Sequence, residues 1–144
     1  SGAEAAKTLF VDIRTHQEAM FVGLATPVDA QIPYMMLTDI PEFDASRKGY
    51  KLVPNSDFLT AMENRLKAKG LSKDDRVILI CRSGDRSANA ANLMQKAGYS
   101  KVYSVVEGFE GDLSKDGRRT VNGWKNDGLP WSYDLSANKL TNLR

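Results

Sequence analysis

The stretch that most restricts the fold of this chain is residues 77–98. It begins with the apolar run VILI, which follows four charged residues and is typical of a strand buried on both faces of a parallel sheet. A short polar loop with one glycine comes next, and then a helical pattern that ends at Gly98. The apolar positions of this helix recur at the spacing of one helix face: Ala90, Leu93, Met94 and Ala97. Open α/β sheets bind ligands between the carboxyl end of a strand and the next helix, so the stretch predicts an α/β fold with a ligand site in this loop.

The chain has a single cysteine, Cys81, and it is the first residue of that loop. A thiolate is the nucleophilic form of cysteine, and it is favoured by positive charge and by the free N–H groups of a helix N-terminus. Arg82 and Arg86 supply the charge, and Gly84 lets the backbone turn tightly enough for loop N–H groups to converge on an anion. A cysteine after an apolar strand is more often only a small buried hydrophobic residue. The arginines, the glycine and the following helix favour the reactive interpretation.

Residues 81–87, with the sequence CRSGDRS, resemble the active-site loop of the rhodanese (sulfurtransferase) family. Residues 12–18 resemble that family's Asp-x-Arg-x-x-x-Glu signature, and the Gly-Trp and Gly-Leu-Pro-Trp sequences within 123–131 resemble its C-terminal end. The resemblance covers most of the chain and implies a rhodanese fold, in which a central, mainly parallel sheet is flanked by helices on both faces. Residues 23–33 lack the histidine of the family's Gly-His-Ile-x-Gly-Ala pattern, which leaves the subfamily open.

The resemblance assigns roles to individual residues. It implies that Cys81 is the catalytic nucleophile. The residues that it implies for substrate binding are Arg82, Ser83, Gly84, Asp85 and Arg86. The residues that it implies as supports of the loop are Asp12, Arg14, Glu18 and Ser87. No metal ligands and no cofactor are expected.

The chemistry implied by the resemblance is transfer of a sulfane sulfur by covalent catalysis. The Cys81 thiolate would attack the outer sulfur of thiosulfate or of a persulfide donor, and sulfite or a thiol would leave. Loop N–H groups would stabilise the terminal sulfur, while Arg82 and Arg86 would attract the donor's sulfonate. Cyanide or a thiol would then take the sulfur from the Cys81 persulfide. Because the chain has no second cysteine, this acceptor must come from outside, either as a small molecule or as a protein.

Two other functions are compatible with parts of the pattern. Rhodanese-related dual-specificity phosphatases have loops with five residues between the cysteine and the arginine, whereas four separate Cys81 from Arg86 here. The smaller ring suits a sulfur atom, and the Asp85 carboxylate disfavours a dianion, so a phosphatase or arsenate reductase is the weaker hypothesis. The other alternative is a non-catalytic sulfur carrier or a rhodanese-like binding module, which only a measured turnover distinguishes from an enzyme.

The segment after the first predicted strand, residues 8–13, carries the signal of a helix start. Thr15, followed by Glu18 three residues later, forms the pattern of a capping box. Glu18 also lies four residues from Arg14, within reach of an ion pair across one helical turn. The only histidine, His16, is expected to be a solvated residue of the first turn rather than a general base, because sulfur transfer from a thiolate needs none.

The rest of the chain alternates strand and helix signals, which favours a parallel sheet. Residues 32–37 and 101–106 predict strands, and residues 56–69 predict a helix. The buried face of that helix is expected to hold Phe58, Met62 and Leu66. Two tryptophans, Trp124 and Trp131, are expected to anchor the core with their N–H groups hydrogen-bonded.

Two segments are expected to be irregular. Residues 38–56 are polar and contain prolines, which predicts a long loop, and the resemblance implies that this loop borders the mouth of the site. Phe43 and Tyr50 are candidates either to line that mouth or to pin the loop to the body. Residues 112–122 are polar and predict a surface insertion.

The length of the chain predicts one domain, residues 1–144, with 1–7 and 135–144 as peripheral tails. The net charge is +2 without a basic block, so no nucleic-acid partner is expected. No apolar run approaches the length of a membrane span, so a soluble protein is expected. The chain starts without methionine, which suggests a processed end, and the expected location is either cytoplasmic or exported with the signal removed.

Overall fold

The computed structural model describes residues 2–141. Its helices are α1 (Gly2–Ala6), α2 (His16–Val22), α3 (Phe58–Ala68) and α4 (Asp85–Lys96), with a 3₁₀ turn at Ala137–Lys139. Its strands are β1 (Thr8–Asp12), β2 (Leu24–Ala25), β3 (Ala30–Gln31), β4 (Met35–Leu37), β5 (Phe43–Asp44), β6 (Gly49–Tyr50), β7 (Leu52–Pro54), β8 (Arg76–Ile80), β9 (Lys101–Ser104) and β10 (Trp131–Ser132). Within the part of the chain that is described, no helix is long and apolar enough to cross a bilayer.

A four-stranded parallel sheet in the order β3-β1-β8-β9 forms the centre of the molecule. Parallel neighbours need crossover connections, and here α3 lies on the path from β3 to β8, while α4 joins β8 to β9. The strand that ends at Ile80 is an inner strand, paired on both sides. Cys81 therefore follows at the carboxyl edge of the sheet, where the loops of neighbouring strands can meet above it.

Helices cover both faces of this sheet, because side chains alternate along each strand. The face toward α3 and α4 carries Leu9, Val11, Val77 and Leu79. The opposite face carries Phe10 and Ile80, which pack with Ala19 of α2 and with Phe109. This arrangement confirms the predicted α/β fold with a parallel sheet between two layers. Trp124 and Trp131 pack at the edge of the second layer and are only half-buried.

The helix signals correspond to the observed helices. The capping box forms as predicted, since Thr15 accepts a hydrogen bond from the Glu18 N–H and the Glu18 carboxylate accepts one from the Thr15 N–H. Phe58, Met62 and Leu66 are buried on one face of α3. In α4 the predicted face is only partly enclosed, because Leu93 is 38% exposed.

The prediction of an irregular loop at residues 38–56 was wrong. The chain from 35 to 54 forms a two-part antiparallel hairpin, the hairpin arm, in which β4 pairs with β7 and β5 pairs with β6. The strand predicted at 32–37 is shortened to β4 and belongs to this arm, while the strand that joins the sheet, β3, comes earlier. Phe43 and Tyr50 face each other across the arm and both are exposed, so neither pins it to the body.

The terminal segments have more structure than the predicted tails. Residues 2–6 form α1, and the Lys69 ammonium donates a 2.8 Å hydrogen bond to the carbonyl of Ala5. Near the other end, the guanidinium of Arg65 donates to the carbonyls of Asn138 and Leu140. Residue 1 and residues 142–144 of the predicted tails lie outside the described residues. Residues 112–122 form neither helix nor strand and are mostly exposed.

Candidate active site

The loop after β8 wraps its backbone around the sulfur of Cys81. The N–H of Gly84 donates to Sγ at 3.1 Å, and the N–H of Ser87, in the first turn of α4, donates to it at 3.4 Å. Cys81 itself is 1% exposed, so its sulfur lies at the floor of the site. Because N–H dipoles stabilise negative charge, the loop is arranged to hold an anionic sulfur.

Two serine hydroxyl groups continue this network behind the sulfur. The Cys81 thiol lies 3.4 Å from Ser87 Oγ, which donates to the carbonyl of Gly84 at 3.0 Å. Ser87 Oγ also lies 2.5 Å from Ser104 Oγ, at the end of β9. Ser104 was missed from the sequence. The available signal was topological, because a residue that ends the neighbouring parallel strand reaches the same edge of the sheet.

Two glycines let the loop pack against the turn that follows β9. Gly84 has a φ of 108°, and a Cβ at this position would overlap the carbonyl oxygen of Val106. Gly108 has a φ of 71°, and a Cβ there would overlap the backbone of Arg82. The two segments are also joined by hydrogen bonds, including one of 2.8 Å from the Phe109 N–H to the carbonyl of Cys81. The turn at 108–111 therefore supports the cysteine loop from behind.

An open space of about 370 Å³, the cysteine cleft, lies over the loop. It is lined by Arg47, Cys81, Arg82, Ser83, Asp85, Arg86 and Asn89. The structure thus brings the predicted nucleophile together with four of the five predicted substrate-binding residues, and the fifth, Gly84, contributes its N–H to the sulfur. Arg47 was missed, because nothing in the local sequence shows that the tip of the hairpin arm folds over the loop.

Arg86 forms a two-pronged ion pair with Glu18 at 2.7 and 2.8 Å. The pairing of Glu18 with Arg14 that the helical spacing predicted does not form, since Arg14 is bound to Asp12. Burial by itself would raise the pKa of Glu18, but the hydrogen bond and charge of Arg86 outweigh it and lower that pKa to about 2. Burial likewise opposes ionisation of Arg86, yet Glu18, and then Cys81, hold the pKa of Arg86 above its ordinary value. The pair fixes the guanidinium in the wall of the cleft that Cys81 also lines.

Asp12 and Arg14 form an ion pair with both side chains fully buried. The Nη2 group of Arg14 also donates to the carbonyl of Gly23 at 2.6 Å, and its guanidinium stacks 4.3 Å from the ring centre of Phe109. Neither side chain lines the cysteine cleft. Their contacts join the end of β1 to the start of β2 and to the turn behind the cysteine loop.

His16 occupies the first turn of α2, as expected, but it is not simply solvated. It is half-buried, and its Nδ1 lies 2.6 Å from the side-chain oxygen of Gln31. Gln31 in turn donates to the backbone carbonyl of Arg14. The ring therefore ties the start of α2 to β3, and it does not line the cysteine cleft.

Arg82 is a partly buried cation of the cleft without an ion-pair partner among the described residues. It forms no salt bridge among the described residues, and its Nε is buried without a hydrogen bond. Burial, and after it the positive charge of Arg119, lowers the pKa of Arg82. A guanidinium in this position gains energy from a bound anion, since an anion would supply both the missing acceptor and the opposite charge.

Comparison with known proteins agrees with this geometry. The chain is 32% identical over 125 residues to the uncharacterized protein RP600 of Rickettsia prowazekii, an alignment that covers 85% of this chain and 81% of that protein. It is 33% identical over 84 residues to the thiosulfate sulfurtransferase GlpE of Tolumonas auensis, covering 56% of this chain and 74% of that enzyme. The crystal structure of Rv0390 from M. tuberculosis superposes with a TM-score of 0.67 at 30% identity, covering 90% of this chain and 86% of that one.

The family model of the rhodanese-like domain matches residues 2–115. This match spans the sheet, the hairpin arm, the cysteine loop and the turn behind it. The chain belongs to the rhodanese-like domain family.

Proposed function

We propose that the protein is a sulfurtransferase that moves a sulfane sulfur from thiosulfate or a persulfide donor to a thiol or cyanide through a persulfide on Cys81. The observation that carries this proposal is the position of the Cys81 sulfur. It lies at the floor of a cleft with cationic walls, and the N–H groups of Gly84 and Ser87 point at it.

In the first half of the reaction the donor anion enters between Arg82 and Arg86. The Cys81 thiolate attacks the outer sulfur of the donor, a new S–S bond forms, and the bond between the outer sulfur and the rest of the donor breaks. Sulfite, or a thiolate, leaves with the electron pair of that bond. Arg82 forms no salt bridge among the described residues and its Nε has no acceptor there, so its guanidinium can stabilise the charge that develops on the leaving group.

In the second half an external nucleophile attacks the outer sulfur of the persulfide, and Cys81 leaves as the thiolate. The loop N–H groups stabilise the negative charge that returns to Sγ, which makes Cys81 a better leaving group. This scheme needs no cofactor and no metal, because both steps are displacements at sulfur.

A phosphatase fits the cleft less well. The loop places four residues between Cys81 and Arg86, one fewer than the phosphate-binding loops described above. The carboxylate of Asp85 also lines the cleft, where it would repel a phosphate dianion.

The test is the intact mass of the protein after incubation with thiosulfate. We expect a gain of one sulfur atom that cyanide removes, and no gain in Cys81→Ser, because a hydroxyl group is far harder to ionise and forms no persulfide. Repeated cycles with excess thiosulfate and cyanide then separate an enzyme from a carrier that loads once. If neither thiosulfate, polysulfide nor mercaptopyruvate adds sulfur to the wild type, the proposal is wrong.

A further inference from the structure

A second cleft, of about 320 Å³, adjoins the cysteine cleft; we name it the arm cleft. It lies between the start of α2 and the hairpin arm, and Cys81 is not part of its wall. Three side chains line both clefts, Arg47, Arg82 and Arg86. A molecule in the arm cleft would therefore lie next to whatever occupies the cysteine cleft.

The arm cleft carries an excess of positive charge. Its lining holds four cationic side chains, Arg47, Lys48, Arg82 and Arg86, and one carboxylate, Glu18. That carboxylate is already taken by both prongs of Arg86. The other three cations form no salt bridge within the described chain, so the cleft attracts an anion.

The two basic residues at the arm tip are presented by a defined turn. The side chain of Asp44 accepts hydrogen bonds from the N–H of Ser46, at 3.0 Å, and from its hydroxyl, at 2.6 Å. Lys48 completes the turn with a left-handed backbone, φ 55°. The arm tip, with Arg47 and Lys48, is thus an ordered edge of the cleft. Because its backbone is already fixed, little backbone entropy is lost when these residues bind a ligand.

Apolar groups share the cleft with these cations. Leu37 and Leu52 face each other across β4 and β7 and both line it, together with the ring of Tyr50. A bare inorganic anion makes no use of such a surface, whereas the carbon chain of an organic acid does. The volume also lies in the range of small-molecule sites.

We propose that the arm cleft binds the carboxylate of an anionic thiol, which is the sulfur acceptor of the enzyme. This inference rests on the proposed function and specifies its acceptor. The thiolate of the bound acid attacks the outer sulfur of the protonated Cys81 persulfide. A bond forms between the sulfur of the acid and the outer sulfur of the persulfide, and the Sγ–S bond breaks. The products are the persulfide of the acid and the Cys81 thiolate.

When thiosulfate is the donor, the distance between the charged group and the reacting sulfur assigns the arm cleft to the acceptor. In thiosulfate the anionic group is bonded directly to the sulfur that moves, so its cations must lie in the cysteine cleft itself. Cations in a neighbouring cleft serve a molecule whose charge is separated from its sulfur by a carbon chain. Leu37 and Leu52 supply apolar surface in the same cleft for that carbon chain.

The experiment compares three thiols of similar size and different charge: 3-mercaptopropionate, 2-mercaptoethanol and cysteamine. Each protein is loaded to the same persulfide content, mixed with one thiol below saturation, and followed by the loss of sulfur from its intact mass. The variants are Lys48→Gln and the double variant Arg47→Gln/Lys48→Gln. Lys101→Gln is the matched control, because Lys101 is exposed and far from the cleft. It lies beside Arg76 in the register of β8 and β9, at the opposite end of the sheet from Cys81.

We expect Lys48→Gln to slow transfer to 3-mercaptopropionate about fivefold and the double variant about tenfold or more, as for loss of partly exposed ion pairs. Transfer to 2-mercaptoethanol should change less than about twofold, and added salt should slow only the anionic thiol. Lys101→Gln should behave as the wild type.

If the wild type loads sulfur but the two variants slow transfer to all three thiols equally, or to none, the inference is wrong while the proposed function stands. If no protein loads sulfur, both are wrong.

Discussion

At the residue scale, the ion pair of Glu18 and Arg86 joins the start of α2 to the start of α4. Its side chains are 21% and 16% exposed, so the two charges are largely shielded from water. Arg86 faces the cysteine cleft while it is held by Glu18. Loss of the Glu18 charge would leave this guanidinium without its partner in a half-buried site, which is costly.

Because of this pair, we expect part of the folding stability to be lost in acid. The pKa of Glu18 falls from 4.5 to about 2 on folding, so its stabilisation is fully present above about pH 4.5 and disappears as the pH falls toward 2. We expect Glu18→Gln to lower the free energy of unfolding at pH 7 by about 2 kcal/mol and to flatten its decline between pH 5 and pH 2. Urea unfolding at a series of pH values measures both.

Glu63→Gln is the control for that series. Glu63 forms a half-exposed ion pair with Lys67 on α3, at 3.4 Å, and surface pairs of this kind contribute little. Its unfolding curve should follow that of the wild type at every pH. An equally steep acid decline in Glu18→Gln and the wild type would contradict the role assigned to the pair.

Much of the site could be predicted at this scale. The cysteine, its loop and the capping box are local patterns, so a few adjacent residues define them. The partner of Glu18 could not be chosen, because helical spacing offers Arg14 nearby, whereas the fold supplies Arg86 from a distant segment. Arg47 and Ser104 reach the site only through tertiary structure, and neither carries a local signal.

At the scale of elements, the cysteine loop depends on the turn at 108–111. The carbonyl of Arg82 accepts hydrogen bonds from the N–H groups of Glu110 and Gly111, at 2.9 and 3.1 Å. Gly108 lies against the same stretch of backbone, with no room for a Cβ. The shape of the loop is therefore set partly by a segment more than twenty residues away in the sequence.

Gly108→Ala tests this dependence, and Gly117→Ala is its control. Both glycines have left-handed backbones, φ 71° and 80°, but a Cβ at Gly117 would meet no atom within 4 Å. Gly117→Ala should lower the free energy of unfolding only by the backbone strain, about 1–2 kcal/mol. Gly108→Ala should lower it by more than that. Gly108→Ala should also slow sulfur loading at least tenfold, because the cysteine loop must shift to make room for the Cβ. Urea unfolding and the rate of mass gain with thiosulfate separate the two effects, and equal results for both variants would show that the contact does not shape the loop.

The hairpin arm shows where prediction of elements from sequence fails. Its strands are only two or three residues long, too short for a periodic apolar pattern to be recognised. Prolines at both ends and polar residues at the tip are typical of a loop. By contrast, α3, α4 and β8 are long enough for their apolar spacing and end signals to be read directly.

At the scale of the whole molecule, the C-terminal segment covers an open edge of the sheet. Leu140 bridges in parallel to Gln31 of β3, the outer strand beside β1. Arg65 holds the same segment through two backbone carbonyls, and the Lys139 ammonium donates to the carbonyl of Thr26. Edge strands that are left open tend to pair with other molecules, so this cover also limits self-association.

A chain that ends at Leu135 should therefore be less stable and more prone to associate. We expect a loss of roughly 1–2 kcal/mol in the free energy of unfolding from the missing charged hydrogen bonds. Urea unfolding measures the loss, and size-exclusion chromatography with light scattering measures the association. Arg65→Gln keeps the full chain and should show a smaller loss without association. A shortened chain that stays monomeric and as stable as the wild type would show that the segment is dispensable.

The single cysteine determines how this protein responds to oxidants. A sulfenic acid on Cys81 would find no second thiol within these 144 residues, so this chain cannot close an internal disulfide to protect it. Repair of that state depends on a thiol that diffuses into the cleft, along the same route as a sulfur acceptor. Protection rests instead on burial, since only 1% of Cys81 is exposed. If Cys81 carries a persulfide as proposed, the outer sulfur would also be oxidised before Sγ. On the proposed function, the form without bound sulfur would thus be the one most easily inactivated by peroxide.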